Sequence, residues 1–235
     1  MAIRAIQGAT FQRLHSPHTD DPADVELVLY HDVLCSWCYL ADARLEYLRD
    51  EYGPLLRWKL RPYALRPENQ IPDKKQRTVL ARHFRRVARE CEGKGVKPDL
   101  WTGEDPPASS VPPLVALEAA LPQGPALQRE LLKAMRRAAF LQGINVARRD
   151  VQVELAAQVG LDVGEFVEQL DDPRLTSDVN DAADEAESLG IKGVPALVIG
   201  GEWLMQGCRD LSEYREVLDK YLRERVAAGP VRMIH

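Results

Sequence analysis

Two cysteines separated by two residues stand where a predicted strand gives way to a predicted helix. The motif Cys35-Ser36-Trp37-Cys38 follows Val25–Val33, a run rich in aliphatic residues that predicts a strand. It leads into residues 36–51, whose apolar side chains recur at helical spacing. One helical turn brings the two sulfur atoms within reach of a disulfide, and unpaired backbone N–H groups at a helix start favour a thiolate at Cys35. The motif therefore favours thiol–disulfide chemistry, with Cys35 and Cys38 as candidate catalytic residues.

Two other interpretations of the cysteine pair stay open at this point. It is also typical of half a zinc site, or of a structural disulfide. A zinc site needs a second close pair of Cys or His ligands, whereas the other cysteines, Cys91 and Cys208, are single and far apart in the sequence. Redox chemistry is the better explanation at a strand-to-helix junction, and we predict no metal site.

Length and charge restrict the classes of protein to which the chain can belong. Its 235 residues predict one domain with insertions or two closely packed domains, and its net charge of -5 argues against a non-specific nucleic-acid binder. No segment approaches the roughly 18 consecutive apolar residues of a membrane span, and residues 1–24 lack the apolar core of a secretory signal. We therefore expect a cytoplasmic protein without membrane or nucleic-acid partners. Disulfides in that compartment tend to be transient and catalytic.

The order of the predicted elements divides the chain into three parts. A second strand over Leu55–Leu65 is separated from the first by one helix, so the two are expected to be parallel. Near the C-terminus, Gly200-Gly201 between the runs Ala196–Ile199 and Trp203–Gln206 predicts a hairpin. Between the two strand regions the patterns are helical. We predict an α/β fold with a large all-helical insertion, arranged as an irregular N-terminal arm (1–24), a sheet domain (25–67 and 172–227) and an inserted helical domain (68–171).

The chain from about Val25 to Leu222 resembles the DsbA-like thioredoxin family, and within it the FrnE-type branch of cytosolic thiol–disulfide oxidoreductases. The resemblance rests mainly on two segments, Asp32–Tyr39 and Ala186–Ile199. It implies a thioredoxin-like fold in which Cys35 attacks a disulfide and Cys38 resolves the mixed disulfide. The expected partner is a disulfide-containing protein or a small thiol; no cofactor is expected, and glutathione is a candidate redox partner. The oligomeric state is left open.

The resemblance also implies which residues surround the cysteines. Pro195 would be a cis-proline facing them, and the backbone of Val194 would then be free to pair with an extended substrate segment. Trp37 is a candidate substrate-facing aromatic residue. Ser36 replaces the proline that is commoner in the family, which should shift the redox potential. Trp37 stands where DsbA itself has a histidine, so we expect a milder oxidant or a reductase.

Proton transfer to the second cysteine has no obvious carrier in the sequence. Thioredoxins have a buried acid six residues before the attacking cysteine, and this chain has Leu29 there. The proton for Cys38 would then come from Asp32, His31 or water. His31 is expected to be a surface residue of its strand. Cys91 is expected to be an inert core thiol, because it continues an apolar helical stripe; for Cys208, packing and a redox role are both open.

Two further functions compete with the redox interpretation. Glutathione-dependent isomerases and transferases of the 2-hydroxychromene-2-carboxylate isomerase and kappa types share the helical insertion, but they typically have Ser in place of Cys35. A non-catalytic binding module could instead use the groove beside Pro195, and it would work without either cysteine of the motif. Two cysteines at helix-turn spacing favour the redox function over the isomerases, and retained activity after replacement of both cysteines by Ser would favour the binding module.

Overall fold

The computed structural model describes residues 3–6, 9–13 and 25–228 of the chain, with side chains from 25 to 226. The strands are β1 Ile3–Ile6, β2 Ala9–Arg13, β3 Val25–His31, β4 Leu56–Pro62, β5 Ala196–Ile199 and β6 Trp203–Gln206. The helices are α1 Ser36–Tyr52, α2 Lys74–Val87, α3 Asp99–Thr102, α4 Val111–Ala120, α5 Pro125–Gln142, α6 Arg149–Gln158, α7 Val163–Leu170, α8 Pro173–Ser188 and α9 Leu211–Ala228.

All six of these strands form one sheet, in the order β1-β2-β6-β5-β3-β4. The β3 and β4 strands are parallel, from the pair Val25–Leu56 to the pair His31–Pro62, because α1 carries the chain back across the sheet. The pairs β3–β5 and β5–β6 are antiparallel. Gly200 and Gly201 both have positive φ in the β5–β6 hairpin, a conformation that glycine adopts without a steric penalty. The predicted thioredoxin-like sheet is confirmed.

The expectation of an irregular N-terminal arm is wrong for the part of residues 1–24 that is described. The backbone of β1 pairs antiparallel with β2, and β2 extends the sheet by pairing with β6, Gln12 opposite Leu204. The β2 strand pairs with a sheet edge that forms late in the chain, and local sequence patterns do not encode this contact. Residues 1–2, 7–8 and 14–24 of the predicted arm lie outside the described residues.

The helical insertion is confirmed. Between residues 63 and 195, all of which are described, the chain forms only helices, turns and loops. The α2 helix ends earlier than its apolar stripe predicts, at Val87, and a Cβ atom on Gly93 would lie 1.9 Å from the Val87 carbonyl oxygen. The chain thus folds back over the end of the helix. Cys91 is consequently exposed, and its prediction as a core thiol is wrong.

The first helix lies between two hydrophobic cores. Leu45 and Leu48, in its second half, pack with sheet residues and with α9. Leu40, in its first half, packs instead with the core of the helical insertion, which also includes Val33 and Leu34. The turn that carries the cysteine motif is therefore held at the junction of sheet and insertion. No helix among the described residues is long and apolar enough to span a bilayer.

Candidate active site

Cys35 is the residue that immediately precedes α1. Its backbone is extended (φ -83°, ψ 113°), and its carbonyl oxygen accepts the first helical hydrogen bond from Tyr39 N–H at 3.1 Å. The side chain is 9% exposed, and both motif cysteines are free thiols. The strand–turn–helix order thus places Cys35 where the first backbone N–H groups of α1 lack helical partners.

The surroundings of Cys35 lower the pKa of its thiol. A hydrogen bond from the Cys38 side chain is the largest cause, supported by the backbone N–H groups of Cys38 and Trp37. Burial and the Asp32 carboxylate act in the opposite direction and are outweighed. The Cys38 thiol and the first backbone N–H groups of α1 therefore together favour the thiolate form at this position, which is the reactive form of cysteine.

Cys38 is in the opposite situation. It lies one turn further along α1, and its side chain is 0% exposed. Burial, followed by the hydrogen bond with Cys35 and the charge of Cys35, raises its pKa well above the ordinary value. The two thiols of one motif thus differ in access and in acidity.

The segment before β5 faces the motif. The Val194–Pro195 peptide bond is cis, as the family resemblance implies. The Val194 carbonyl oxygen accepts a hydrogen bond from the Cys35 thiol, with an S···O distance of 3.8 Å. The Pro195 carbonyl oxygen is bonded to Gly207 N–H at 2.8 Å, which ties this segment to the end of β6. Cys35, Val194 and Pro195, predicted to lie together, do so.

Trp37 contacts the helical insertion through residues that the sequence reasoning missed. Its Nε1–H donates to Nδ1 of His83 on α2 at 3.1 Å, and the Arg86 guanidinium carbon lies 5.8 Å from the centre of its ring. Arginines recur over residues 82–89, most of them on α2, but this pattern does not indicate which residue contacts the motif. A cavity of about 210 Å³ opens beside Cys35, with Ser36, Trp37 and His83 among its lining residues.

Asp32 and His31, the two candidate proton carriers, are both buried. Asp32 accepts hydrogen bonds from the backbone N–H groups of Leu34 (2.7 Å) and Leu65 (2.8 Å), while burial raises its pKa. His31 is 1% exposed, so its prediction as a surface residue is wrong. Side chains alternate between the two faces of a strand, so His31 lies on the same face of β3 as Leu27 and Leu29. That face packs against α1. Burial, aided by nearby Arg136, lowers the pKa of His31 to about 3.

A buried ionic cluster lies under the first half of α1. Asp42 accepts hydrogen bonds from Arg49 at 2.8 Å and from Arg136 of the insertion at 2.9 Å. Burial alone would raise the pKa of Asp42, but the two guanidinium groups outweigh it and hold that pKa at about 2. No local sequence pattern indicates this cluster, because Arg136 is 94 residues from Asp42 along the chain.

The remaining cysteines do not join the motif. Cys208 is half-buried, and its sulfur lies 3.6 Å from a guanidinium nitrogen of Arg44. Burial raises the pKa of Cys208 to about 11, against the opposing effect of Arg44. Among the residues with described side chains, no three His, Cys, Asp or Glu side chains converge where they could hold a metal ion.

Curated relatives match part of the chain. The ClpXP adapter protein SpxH of Halalkalibacterium halodurans is 32% identical over 152 residues, which make up 62% of this chain and 49% of that protein. SpxH of Bacillus subtilis is 26% identical over 155 residues, 65% of this chain and 50% of that protein. The chain thus spans about half the length of these relatives.

Solved structures match it over most of its length. A candidate protein disulfide isomerase from Nitrosomonas europaea superposes with a TM-score of 0.77 at 21% identity, covering 86% of this chain and 98% of the other. The cytosolic disulfide reductase DsbM from Pseudomonas aeruginosa superposes with a TM-score of 0.68 at 25% identity, covering 84% and 98%. The family model of the DSBA-like thioredoxin domain matches residues 26–219. The chain therefore belongs to the DSBA-like thioredoxin domain family.

Proposed function

We propose that the chain is a thiol–disulfide oxidoreductase in which Cys35 attacks the substrate and Cys38 resolves the intermediate. The observation that carries this proposal is the contrast between two thiols one helical turn apart. Cys35 has a lowered pKa and lies at the cavity beside Val194, whereas Cys38 has a raised pKa and is fully buried. A substrate that enters from the cavity meets Cys35 first. Family membership supports the same chemistry.

The reaction proceeds by two exchanges. The Cys35 thiolate attacks one sulfur of a substrate disulfide, which forms a mixed disulfide and releases the other substrate sulfur as a thiolate. Cys38 then gives up its proton and attacks Cys35, forming the Cys35–Cys38 disulfide while the second substrate thiolate leaves. The substrate gains two electrons and two protons, and the motif loses them. An external thiol must reduce the motif before the next turnover; run in reverse, the same steps oxidise a dithiol.

The experiment is a comparison of two single variants in the reduction of a fluorescent peptide disulfide. Cys35→Ser should abolish the reaction. Cys38→Ser should instead accumulate a covalent protein–peptide adduct, visible by mass spectrometry and cleaved by added dithiol. Normal turnover by Cys38→Ser, or adduct formation through Cys38, would overturn the assigned roles.

The surroundings of Cys35 suggest how substrate and reductant are held. The backbone beside the cis-proline Pro195 offers hydrogen bonds to an extended peptide, and Trp37 offers an aromatic wall.

DsbM, a cytosolic disulfide reductase, has also been solved with GSH, at a TM-score of 0.67 and 24% identity to this chain. We take glutathione as the candidate reductant, with no further cofactor, and the cytoplasm as the compartment. Assignment to the FrnE-type branch stays a prediction.

A second candidate function is that of a binding adapter. It is favoured by the match to SpxH, which is named as a ClpXP adapter. An adapter of this kind would bind its partner without thiol chemistry. A variant with both Cys35→Ser and Cys38→Ser distinguishes the two functions. If the protein is an oxidoreductase, this variant loses peptide disulfide reduction; if it is an adapter, the variant still binds its partner.

A further inference from the structure

A buried cation from the helical insertion is bound to the face of α1 that also carries Cys38. Arg136, on α5, is 2% exposed, and its Nη1 donates to Asp42 at 2.9 Å. Asp42 is four residues after Cys38 on α1, and both side chains are buried, so they occupy the same face of the helix. Helical side chains lean toward the N-terminus, and the Asp42 carboxylate accordingly lies toward the turn that carries Cys38.

The positive charge of this cluster is not fully neutralised. Two guanidinium groups share one carboxylate, that of Asp42. Arg49 has additional partners, since it also donates to Glu46 at 3.0 Å and lies 4.4 Å above the ring of Trp58. Arg136 has only Asp42, and its Nε and Nη2 have no partner among the described residues. Glu46 is itself shared with Arg129 and Lys133, so the carboxylates of this cluster do not balance its cations. The two unpartnered nitrogens leave part of the Arg136 guanidinium available to an anion other than Asp42.

Among the residues with described side chains, the other ionisable groups considered around Cys38 do not supply a cation. His31 is buried with a pKa of about 3, so it is neutral near pH 7. Asp32 and Cys35 can each carry only a negative charge or none. The pKa of buried Tyr214 on α9 is raised, so its hydroxyl is protonated and neutral. The positive charge of Arg136 favours ionisation of Cys38, which burial opposes.

We infer that Arg136 is the counter-cation of the Cys38 sulfur: held on Asp42, it stabilises the negative charge that Cys38 carries when it attacks the mixed disulfide. This inference deepens the proposed function and rests on it. Arg136 is a positioning residue that acts through Cys38 and does not touch the substrate. In the step it assists, the Cys38 thiol loses its proton, the Cys35–Cys38 bond forms, the Cys35–substrate bond breaks and the departing substrate thiolate takes up a proton.

The test titrates Cys38 in the full chain without relying on turnover. Cys35 is blocked with iodoacetamide, and the pH dependence of the Cys38 ¹³Cβ chemical shift is followed by NMR. Arg136→Gln, which keeps a donor for Asp42, should raise the midpoint by about one pH unit. Arg136→Lys, which keeps the charge, should titrate as wild type. Arg49→Gln is the matched control, because Arg49 also donates to Asp42 but lies seven residues after it on α1, away from Cys38. This variant also removes one positive charge from Asp42, and it should leave the titration midpoint of Cys38 unchanged.

A kinetic measurement supplies the second readout. In a single turnover at pH 7, Arg136→Gln should release the mixed disulfide about threefold more slowly, because the roughly tenfold smaller thiolate fraction is partly offset by a more nucleophilic thiolate. The rate of the first attack by Cys35 should be retained. An unshifted Cys38 midpoint, or an equal shift in Arg49→Gln, overturns the inference. If Arg136→Gln does not fold, Arg136→Met is titrated against the same criteria. Absence of peptide reduction in the wild type would reject the proposed function, but the titration would still decide the role of Arg136.

Discussion

The indole nitrogen of Trp37 donates a hydrogen bond to Nδ1 of His83 at 3.1 Å, which joins the redox motif to the helical insertion. The two residues are 46 positions apart in the chain and meet at the cavity beside Cys35. The insertion is thus part of the wall of the active site. Val194 lines the same cavity, so residues of the insertion and of the segment before β5 both border Cys35.

Breaking this contact should weaken substrate binding. A net hydrogen bond contributes about 1 kcal/mol, so His83→Ala should raise KM for a peptide disulfide about fivefold, with kcat retained because neither cysteine changes. His83→Gln keeps an acceptor for the indole and should behave as wild type. An unchanged KM for His83→Ala, measured by steady-state kinetics, would show that the wall does not contact the substrate.

Removal of the Asp32 charge should make Cys35 more acidic. The Asp32 carboxylate raises the pKa of Cys35, whereas a neutral amide of the same shape does not. In the pH range where Asp32 is ionised, Asp32→Asn should therefore move the midpoint of Cys35 alkylation to lower pH. The measurement is the iodoacetamide rate at Cys35 against pH, followed by mass spectrometry. A midpoint that rises would contradict this electrostatic account.

The ion pairs of Asp42 should make the free energy of unfolding depend on pH in the acidic range. The pKa of Asp42 is about 2 in the folded protein against an ordinary value of 3.8, so its stabilising contribution is present above about pH 4 and is lost as the pH falls toward 2. That contribution is about 2 kcal/mol. Asp42→Asn should flatten the unfolding free energy over this range in urea titrations. Asp50→Asn, at an exposed position of the same helix, should keep the wild-type profile, and an unaltered slope in Asp42→Asn would contradict the prediction.

The cysteines outside the motif should be dispensable. The pKa of Cys208 is about 11 because the thiol is half-buried, so it is protonated and slow to react at pH 7. Cys91 is exposed on the surface. The variant Cys91→Ser/Cys208→Ser should therefore reduce the peptide disulfide at the wild-type rate. Loss of most of that rate in a folded double variant, as judged by circular dichroism, would reveal a second redox step.

The sequence by itself determined the elements that depend on residues close together along the chain. A strand followed by a helix placed Cys35 before the first turn of α1, because aliphatic alternation and helical spacing are local patterns. Gly200-Gly201 predicted the β5–β6 hairpin, since only glycine adopts positive φ freely. The cis bond before Pro195 was anticipated from the resemblance, not from the residues alone.

Only the tertiary structure decided which groups surround the two sulfur atoms. His31 follows the alternation of β3, but its burial depends on the elements that cover that face of the sheet. Arg136 reaches Asp42 across 94 residues of chain, and no periodicity relates the two. Local patterns set backbone geometry, whereas the field at a buried thiol is the sum of charges and dipoles from several elements. The sequence thus located the candidate attacking cysteine, and the packing of the insertion against α1 set its environment.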